Sequence, residues 1–432
     1  MKTVMRRTSF IMSFAWASVA TCAHGIVGQP GTLDTAWNGT GTVVTVSGDR
    51  SDATAMTLQP DGKVLLAGSC LAGTRFIFCA MRYLPNGMLD TTWNGTGKVF
   101  TPISSTGDRA GAMTLQPDGK VLLAGQCDNV MVRDFCSVRY LPNGSLDATW
   151  NGTGKVITTI SGSDSAYAMS LQPDGKVLLA GSCEIPYRSF CAVRYLANGT
   201  LDTTWNGTGK AIDNIGSNYD RAYAIALQPD GNVLLAGFCY DGRKTDFCSL
   251  RYLPNGTLDL AWGRVITPVG GASSVASAIA LQPDGKVLMS GSCAGGFCAV
   301  RYLRNGAPDT TWNGTGKVIT PISGGSDSSV AMILQPDGKV LLAGQCDNGT
   351  NNQFCSARYD GGPFVYQNCS PDLDGDGFFL ATKDALIYTR IALGITGPAV
   401  IGGITFAPSA TRSTWSLIRD YLVTQCGMSL VQ

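Results

Sequence analysis

The stretch LQPDGKVLLAGSC, residues 58–70, decides the fold, because it returns almost unchanged from residues 115, 171, 227, 281 and 334. The copies start 57, 56, 56, 54 and 53 residues apart. A recurring period of this size marks a repeat architecture, in which each unit buries its apolar face against its neighbours. Four short apolar segments follow one another within a period; in the second they are residues 112–116, 120–127, 135–141 and 155–160. Each is rich in Val, Ile, Leu and Tyr and bounded by Gly, Pro, Asn or Asp, which reads as a strand. PDG links the first strand to the second and PNG follows the third, and both suit tight turns that need positive φ.

The second strand is apolar almost without interruption, as at Val121, Leu122, Leu123 and Ala124, so both its faces are expected to be covered. Four antiparallel strands in each of six units describe the blades of a β-propeller. No segment before Gly362 sustains a helical period. Residues 31–46, GTLDTAWNGTGTVVTV, match the end of a unit rather than its beginning, while the sixth unit stops at ARYD, residues 357–360, without that ending. The expected fold is an all-β, six-bladed propeller closed by the N-terminal strand: residues 42–46 complete the last blade and leave no open sheet edge.

The first residues carry Lys2, Arg6 and Arg7 ahead of an apolar run at 10–20, then small residues. That is the pattern of a signal peptide, expected to span residues 1–23 with cleavage after Ala20 or Ala23. The run is too short for a membrane span; lipoprotein-type processing at Cys22 is the alternative. A net charge of +1 with 15% charged residues gives no reason to expect a nucleic-acid partner. The chain reads as secreted, periplasmic or extracellular, and monomeric.

Of 15 cysteines, Cys22 lies in the export segment and an even number remain. They fall in pairs: Cys70 with Cys79, Cys127 with Cys136, Cys183 with Cys191, Cys239 with Cys248, Cys293 with Cys298, and Cys346 with Cys355. The intervening lengths are 8, 8, 7, 8, 4 and 8 residues, as expected for two cysteines facing each other at the end of a hairpin. A tetrahedral metal site wants four ligands, and the one histidine, His24, lies at the export boundary. Disulfides suit an exported chain, each contributing roughly 2.5–3 kcal/mol by closing a short loop. Cys369 and Cys426 are left to tie the ends of the tail.

The stapled tips differ from unit to unit while PDG and PNG stay the same. A rigid frame with dissimilar loops on one face is how binding surfaces are built. Candidate contacts to a protein or glycan partner are Arg75, Arg133, Glu184, Tyr187, Arg188, Tyr240, Arg243 and Lys244; solvated hairpin tips are the alternative. Trp37, Trp93, Trp150, Trp205, Trp262 and Trp312 read as wedges between blades. Arg82, Arg139, Arg194, Arg251, Arg301 and Arg358 read as partners of the recurring Asp of LDTTW.

Catalytic residue types are scarce. Glu184 is the one glutamate and His24 the one histidine, which leaves no Ser-His-Asp triad or paired glutamates. A non-catalytic binding or scaffold protein is the leading expectation. Asp108, Asp164, Asp220 and Asp327, ahead of the first strands, offer the alternative of an Asp-dependent hydrolase or polar-ligand site at the channel mouth. A purely architectural surface protein is the third reading.

The succession LQPDGKVLLAG, RYLPNGSLD and GTGKV resembles the delta-60 repeat of bacterial secreted and surface proteins over residues 31–360. The resemblance implies a propeller akin to the NHL type and a largely undefined function. A cysteine pair in every unit, and Trp where members often carry Phe, depart from that pattern.

Residues 363–432 change character. Asp372, Asp374 and Asp376 followed by Gly377 match an EF-hand-type loop, whose alternate oxygens converge on Ca²⁺. Phe378 would offer its carbonyl, and Asp384 stands one residue past the usual closing acid, where Lys383 sits. Helical patterns follow, with Leu386 and Leu393 on one face and then Trp415, Ile418 and Leu422. The segment resembles one half of a dockerin-type module, which implies a Ca²⁺-stabilised helical unit; an Asp/Gly-rich linker that binds nothing is the alternative.

Overall fold

The computed structural model describes residues 32–129, 132–323, 325–335, 338–347, 349–362, 372–378, 380, 382–392, 395 and 397–424. Residues 1–31, with the expected signal peptide, and Cys369, Cys426 and Leu393 lie outside the described residues. The first blade comprises Ser51–Leu58, Val64–Ala72, Arg75–Tyr83 and Lys98–Thr101, each strand antiparallel to the one before it. This meander recurs through the fifth blade, from the inner strand Ser274–Leu281 to the outer strand Lys317–Thr320. The chain is therefore all-β through its repeats, with propeller-like blades.

A bulge in each inner strand explains why glycine recurs in every LAG. In the second blade pairing slips between Ala110 and Ala112, so the Arg109 carbonyl is pushed towards the second strand. A Cβ on Gly125 would lie 2.0 Å from that oxygen, so no other residue fits without moving backbone. The five other copies meet the same contact at Gly68, Gly181, Gly237, Gly291 and Gly344.

Each junction between neighbouring blades repeats a meeting of Trp with Tyr and an arginine clasp, and the first junction shows the full set of contacts. Trp93 is fully buried and meets the edge of Tyr140 of the next blade, ring centres 6.2 Å apart. Arg82 pairs with Asp90 in its own blade at 2.9 Å, and its second nitrogen donates to the Pro142 carbonyl of the next at 2.7 Å. Asn94, held at φ 52°, turns its backbone N–H to the Asn143 carbonyl. Lys155 Nζ reaches back to the Pro102 carbonyl at 2.7 Å, and the Tyr140 hydroxyl bonds Thr101. Trp93, Trp150, Trp205, Trp262 and Trp312 are wedges and Arg82, Arg139, Arg194, Arg251 and Arg301 hold Asp, as expected, and these arginines also rivet blade to blade. Arg358 departs from the expectation and pairs with no Asp among the described residues, and Trp37 packs on the first blade alone.

All six blade disulfides form, with Cα separations of 5.7–6.0 Å. Their geometry corrects the expectation that the two cysteines face each other. Cys70 is paired with Ile77 and Cys79 with Gly68, so the bridge runs diagonally across the hairpin. The residue facing Cys79 has no side chain, which leaves space for its sulfur to slant two residues along the neighbouring strand.

The closed ring is also corrected. Among the described residues the sixth sheet has three strands, Asp327–Leu334, Val340–Asp347 and Asn352–Tyr359. Residues 42–46 form no ladder with it. Val44 is 93% exposed and Phe354 fully exposed, whereas Phe78, Phe135, Phe190, Phe247 and Phe297, at the same position in the other blades, are 0% exposed. The N-terminal segment sits instead on the first blade, with Trp37 against Tyr83 and Thr45 bonded to the Tyr83 hydroxyl at 2.7 Å. The physical reason is locality. Blades in a repeat array contact only their neighbours, and the segment satisfies its contacts to the first blade whether or not the sixth arrives.

In the tail, helices Asp384–Ala392 and Trp415–Thr424 and the short turn Gly397–Ile401 enclose a core of Leu373, Ile387, Val400, Ile418 and Leu422. Ile387, not its neighbour Leu386, is the buried apolar residue among the described ones of the first helix. No helix among the described residues is long and apolar enough to cross a membrane.

Candidate functional site

The hairpin tips between second and third strands contact the loop that enters the following blade. Arg75 donates to the Ser104 and Ser105 carbonyls at 3.2 and 2.8 Å. Arg133 pairs with Asp128 at 3.1 Å, Arg188 lies 4.0 Å from Glu184, and Lys244 pairs with the buried Asp246 at 3.0 Å. Tyr240 donates its hydroxyl to the Gly242 carbonyl, and the Arg243 backbone N–H is held by Asp241. Tyr187 is exposed. The eight candidates thus spread over four blades, and several have their charge neutralised within their own tip.

A tighter grouping lies between the third and fourth blades. The inner-strand bulges each leave one residue unpaired: Thr54, Gly111, Tyr167, Tyr223, Ser277 and Val330. Bulges re-aim side chains, and they recur beside functional sites. Tyr167 and Tyr223 come from adjacent blades and meet edge to face, with ring centres 5.1 Å apart. Tyr223 and Tyr219 each pack on Phe238 at 5.8 Å. Arg221 lies over the Tyr219 ring at 4.8 Å and donates to the Tyr223 hydroxyl at 3.3 Å. From the stapled tip of the third blade, Arg188 stands 5.5 Å over the other part of this group, the Tyr219 ring.

Two guanidinium groups are therefore set among four aromatic rings, an arrangement in which cation–π attraction holds charge on flat apolar faces. The Nε of Arg221 is buried and has no hydrogen-bond partner among the described residues. Of the eight expected contacts, Arg188 belongs to this group, and Tyr240 adjoins it through its N–H to Asp220 at 3.3 Å. Tyr167, Tyr219, Arg221, Tyr223 and Phe238 were not among the expected contacts. Their signal was in the alignment of the six units, where the bulge position is tyrosine in only two adjacent copies.

The four aspartates expected at the channel mouth are buried, at 0–4% exposure. Asp108 accepts the backbone N–H groups of Ile103 and Ser104, and Asp164 those of Ile160 and Ser161. Asp220 and Asp327 do the same for Ile215 with Gly216 and for Ile322 with Ser323. Each carboxylate is buried and clamps the loop between two blades. A side chain three to five residues beyond a turn satisfies orphan amides there, which is a structural role.

In the tail, one oxygen each from Asp372, Asp374 and Asp376 lies within 4.8 Å of the others. Asp374 is fully buried, and its Oδ2 has no hydrogen-bond partner among the described residues. Burial, with Asp372, Asp384 and Asp376 nearby, pushes the Asp374 carboxyl above its ordinary range. Lys383 Nζ lies 3.2 Å from Asp376 and 3.8 Å from Asp374. Asp384 is placed differently from the expectation. Its oxygens accept the N–H groups of Leu373, Asp374 and Leu380, so it holds the loop backbone rather than joining the three acids. Phe378 is exposed and gives its N–H to Asp376.

A family model described as a domain of unknown function (DUF5122) beta-propeller matches residues 59–92, 116–149, 172–204 and 228–261. These stretches run from the Gln ahead of the PDG turn to the residue just before the recurring Trp in the first four units, in keeping with the blades. No curated protein matches the chain. Among solved structures, a protein of unknown function from Bacteroides caccae is 13% identical, covering 65% of this chain and 81% of that one, with a TM-score of 0.40. One of unknown function from Dyadobacter fermentans is 12% identical, covering 71% and 94%, with a TM-score of 0.41. Sqt1 of Chaetomium thermophilum, bound to the N-terminus of the ribosomal protein L10, is 13% identical, covering 66% of each chain, with a TM-score of 0.40. These likenesses are too distant to argue from.

Proposed function

We propose that the chain is an extracytoplasmic, non-catalytic binding protein that takes a glycan between its third and fourth blades. The observation that carries this reading is the group of Tyr167, Tyr219, Arg221 and Tyr223, with Arg188 at its rim. Tyrosine offers a flat apolar face and a polar tip, which suits the two sides of a sugar ring. The unpaired Nε of Arg221 is a donor waiting for an acceptor, because a buried donor left unbonded is costly. Six disulfides support an oxidising compartment.

Affinity electrophoresis through gels holding neutral or uronate-bearing polysaccharides tests the reading. Retardation by at least one polysaccharide is expected, and Tyr219→Ala combined with Arg221→Ala should remove it. Equal retardation of that variant would move the site elsewhere. Failure of every polysaccharide, with capture of an envelope protein that depends on the same residues, would make the partner a protein.

We further propose that the tail loop holds Ca²⁺ through Asp372, Asp374 and Asp376. Three clustered carboxylates, one with an orphaned buried oxygen, fit a hard cation that prefers oxygen ligands. Bound there, the ion would neutralise the acids and tie the loop to the tail's core. Lys383 would have to leave the acids it now neutralises. Calorimetric titration with Ca²⁺ should give a binding heat that Asp374→Asn abolishes; no heat from the intact chain would leave Lys383 as the acids' only counter-charge.

A further inference from the structure

The two ends of the blade array carry the unmatched halves of one more junction. In each internal junction a third-strand arginine is buried against an aspartate eight residues on: Arg82 with Asp90, Arg139 with Asp147, Arg194 with Asp202, Arg251 with Asp259 and Arg301 with Asp309. The sixth, Arg358, is exposed and has no ion pair among the described residues. Asp34 occupies the Asp90 position in the N-terminal copy of the unit ending, and it too is exposed and in no ion pair among the described residues.

The apolar surfaces divide in the same way. Phe354 is fully exposed and Ala343 exposed, where their counterparts Phe78 and Ala67 are buried against the second blade. At the other end Val64 and Leu66 are only half-buried, where Val121 and Leu123 are at 0–1% exposure. Residues 33–46 are already mounted on the first blade as an outer strand is mounted at an internal junction. Asn38 N–H bonds the Asn86 carbonyl at 2.6 Å, and Lys98 Nζ bonds the Val46 carbonyl at 2.7 Å. Thr42, Val43, Val44 and Thr45 correspond to Lys98, Val99, Phe100 and Thr101, which ladder with Met81, Ala80, Cys79 and Phe78. The same register would set Val43 opposite Ser356 and Thr45 opposite Phe354.

We propose that a second copy of this chain fills the junction: its residues 33–46 and first blade dock on the sixth blade of the first copy, pairing Asp34 with Arg358. An edge strand with a free ladder is a template for another chain, and strand addition supplies backbone hydrogen bonds together with pockets for alternate side chains. Five junctions share the meeting of Trp with Tyr and the arginine bond to the next blade's carbonyl, and this structure leaves a sixth such junction unmade within one molecule. The contact is heterologous, head to tail, so copies build a closed ring or a filament.

Light scattering on the exported form, over two decades of concentration, should give a mass above that of one chain and rising with concentration. Asp34→Arg or Arg358→Asp alone should weaken association by about a hundredfold, the usual effect of losing one member of a buried ion pair at an interface. Both side chains are exposed in the single molecule, so the blades fold in either variant. Mixing the two variants restores complementary pairs between chains and should restore association. A single-chain mass at every concentration would overturn the proposal. So would rescue only when both changes are in one chain, which would assign the junction to the molecule's own two ends. Unaltered association of the single variants would also overturn it.

Discussion

Arg139 and Ala197 belong to different blades, and Arg139 Nη1 donates to the Ala197 carbonyl at 2.6 Å. The same guanidinium holds Asp147 at 2.7 Å and Thr149 at 2.9 Å and lies 4.7 Å over the Trp150 ring. One side chain thereby closes its own blade and clamps the next. Arg139→Ala would strand the buried Asp147 carboxylate and is expected to cost about 3–5 kcal/mol. Urea unfolding of the variant measures it. Replacing Arg139 and Asp147 together by leucine should cost less than Arg139→Ala alone, and a larger loss would mean that the rivet, not the stranded charge, is what matters.

The same pair makes the protein acid-sensitive. Burial by itself would raise the Asp147 carboxyl, but hydrogen bonds from Thr149 and the Arg139 charge outweigh it and hold the group below its ordinary range. Asp90, Asp202, Asp259 and Asp309 are lowered in the same way. A carboxyl whose folded pKa lies below its unfolded one adds stability above about pH 4 and loses it as pH falls through the folded value. Melting temperature should therefore drop on acidification below about pH 4, with a shallower slope for Asp147→Asn. A variant slope equal to that of the parent would count against the pairing.

Removing one staple has a calculable effect. Cys183→Ser with Cys191→Ser opens a loop with a sequence separation of 8, and the chain-entropy model gives a loss of about 2.5 kcal/mol. Calorimetry without reductant should show the lower melting temperature, and adding reductant should bring the parent below this variant, because it opens every staple. A parent unaffected by strong reductant at its melting temperature would contradict the assignment.

Gly125→Ala tests the bulge. The added carbon would meet the Arg109 carbonyl at 2.0 Å, so backbone must shift, and a loss of about 2 kcal/mol or more is expected. Gly152 is the control, with nothing within 4 Å of a Cβ but φ at +77°. Gly152→Ala should cost only about 1 kcal/mol, the strain of a left-handed alanine. Equal effects in denaturant unfolding would mean that the close approach at Gly125 is not what requires glycine there.

What could be read in the residues was whatever repeats within one period. Trp93, Arg82 and the Cys70 and Cys79 pair each find partners within a blade or its neighbour, so six copies of the pattern expose the role. The Tyr167 and Tyr223 meeting was harder to read, since it needs the bulge to turn both side chains the same way. The aspartate set misled for a related reason. Position along the chain placed Asp108 near the channel mouth, but the loop ahead of it held orphan amides that took its carboxylate inward. Asp384 was misplaced likewise, since its carboxylate accepts the N–H groups of Leu373 and Asp374.

By itself the sequence determined the number of blades, their strand order, the six sulfur bridges and the wedges between units, because those depend on contacts that recur at short range along the array. Tertiary structure alone decided the diagonal course of each bridge, the residues turned out by the bulges and the open seam between Tyr359 and Val43. Side-chain direction depends on pairing register, and closure depends on a step accumulated over five junctions, which no single repeat encodes.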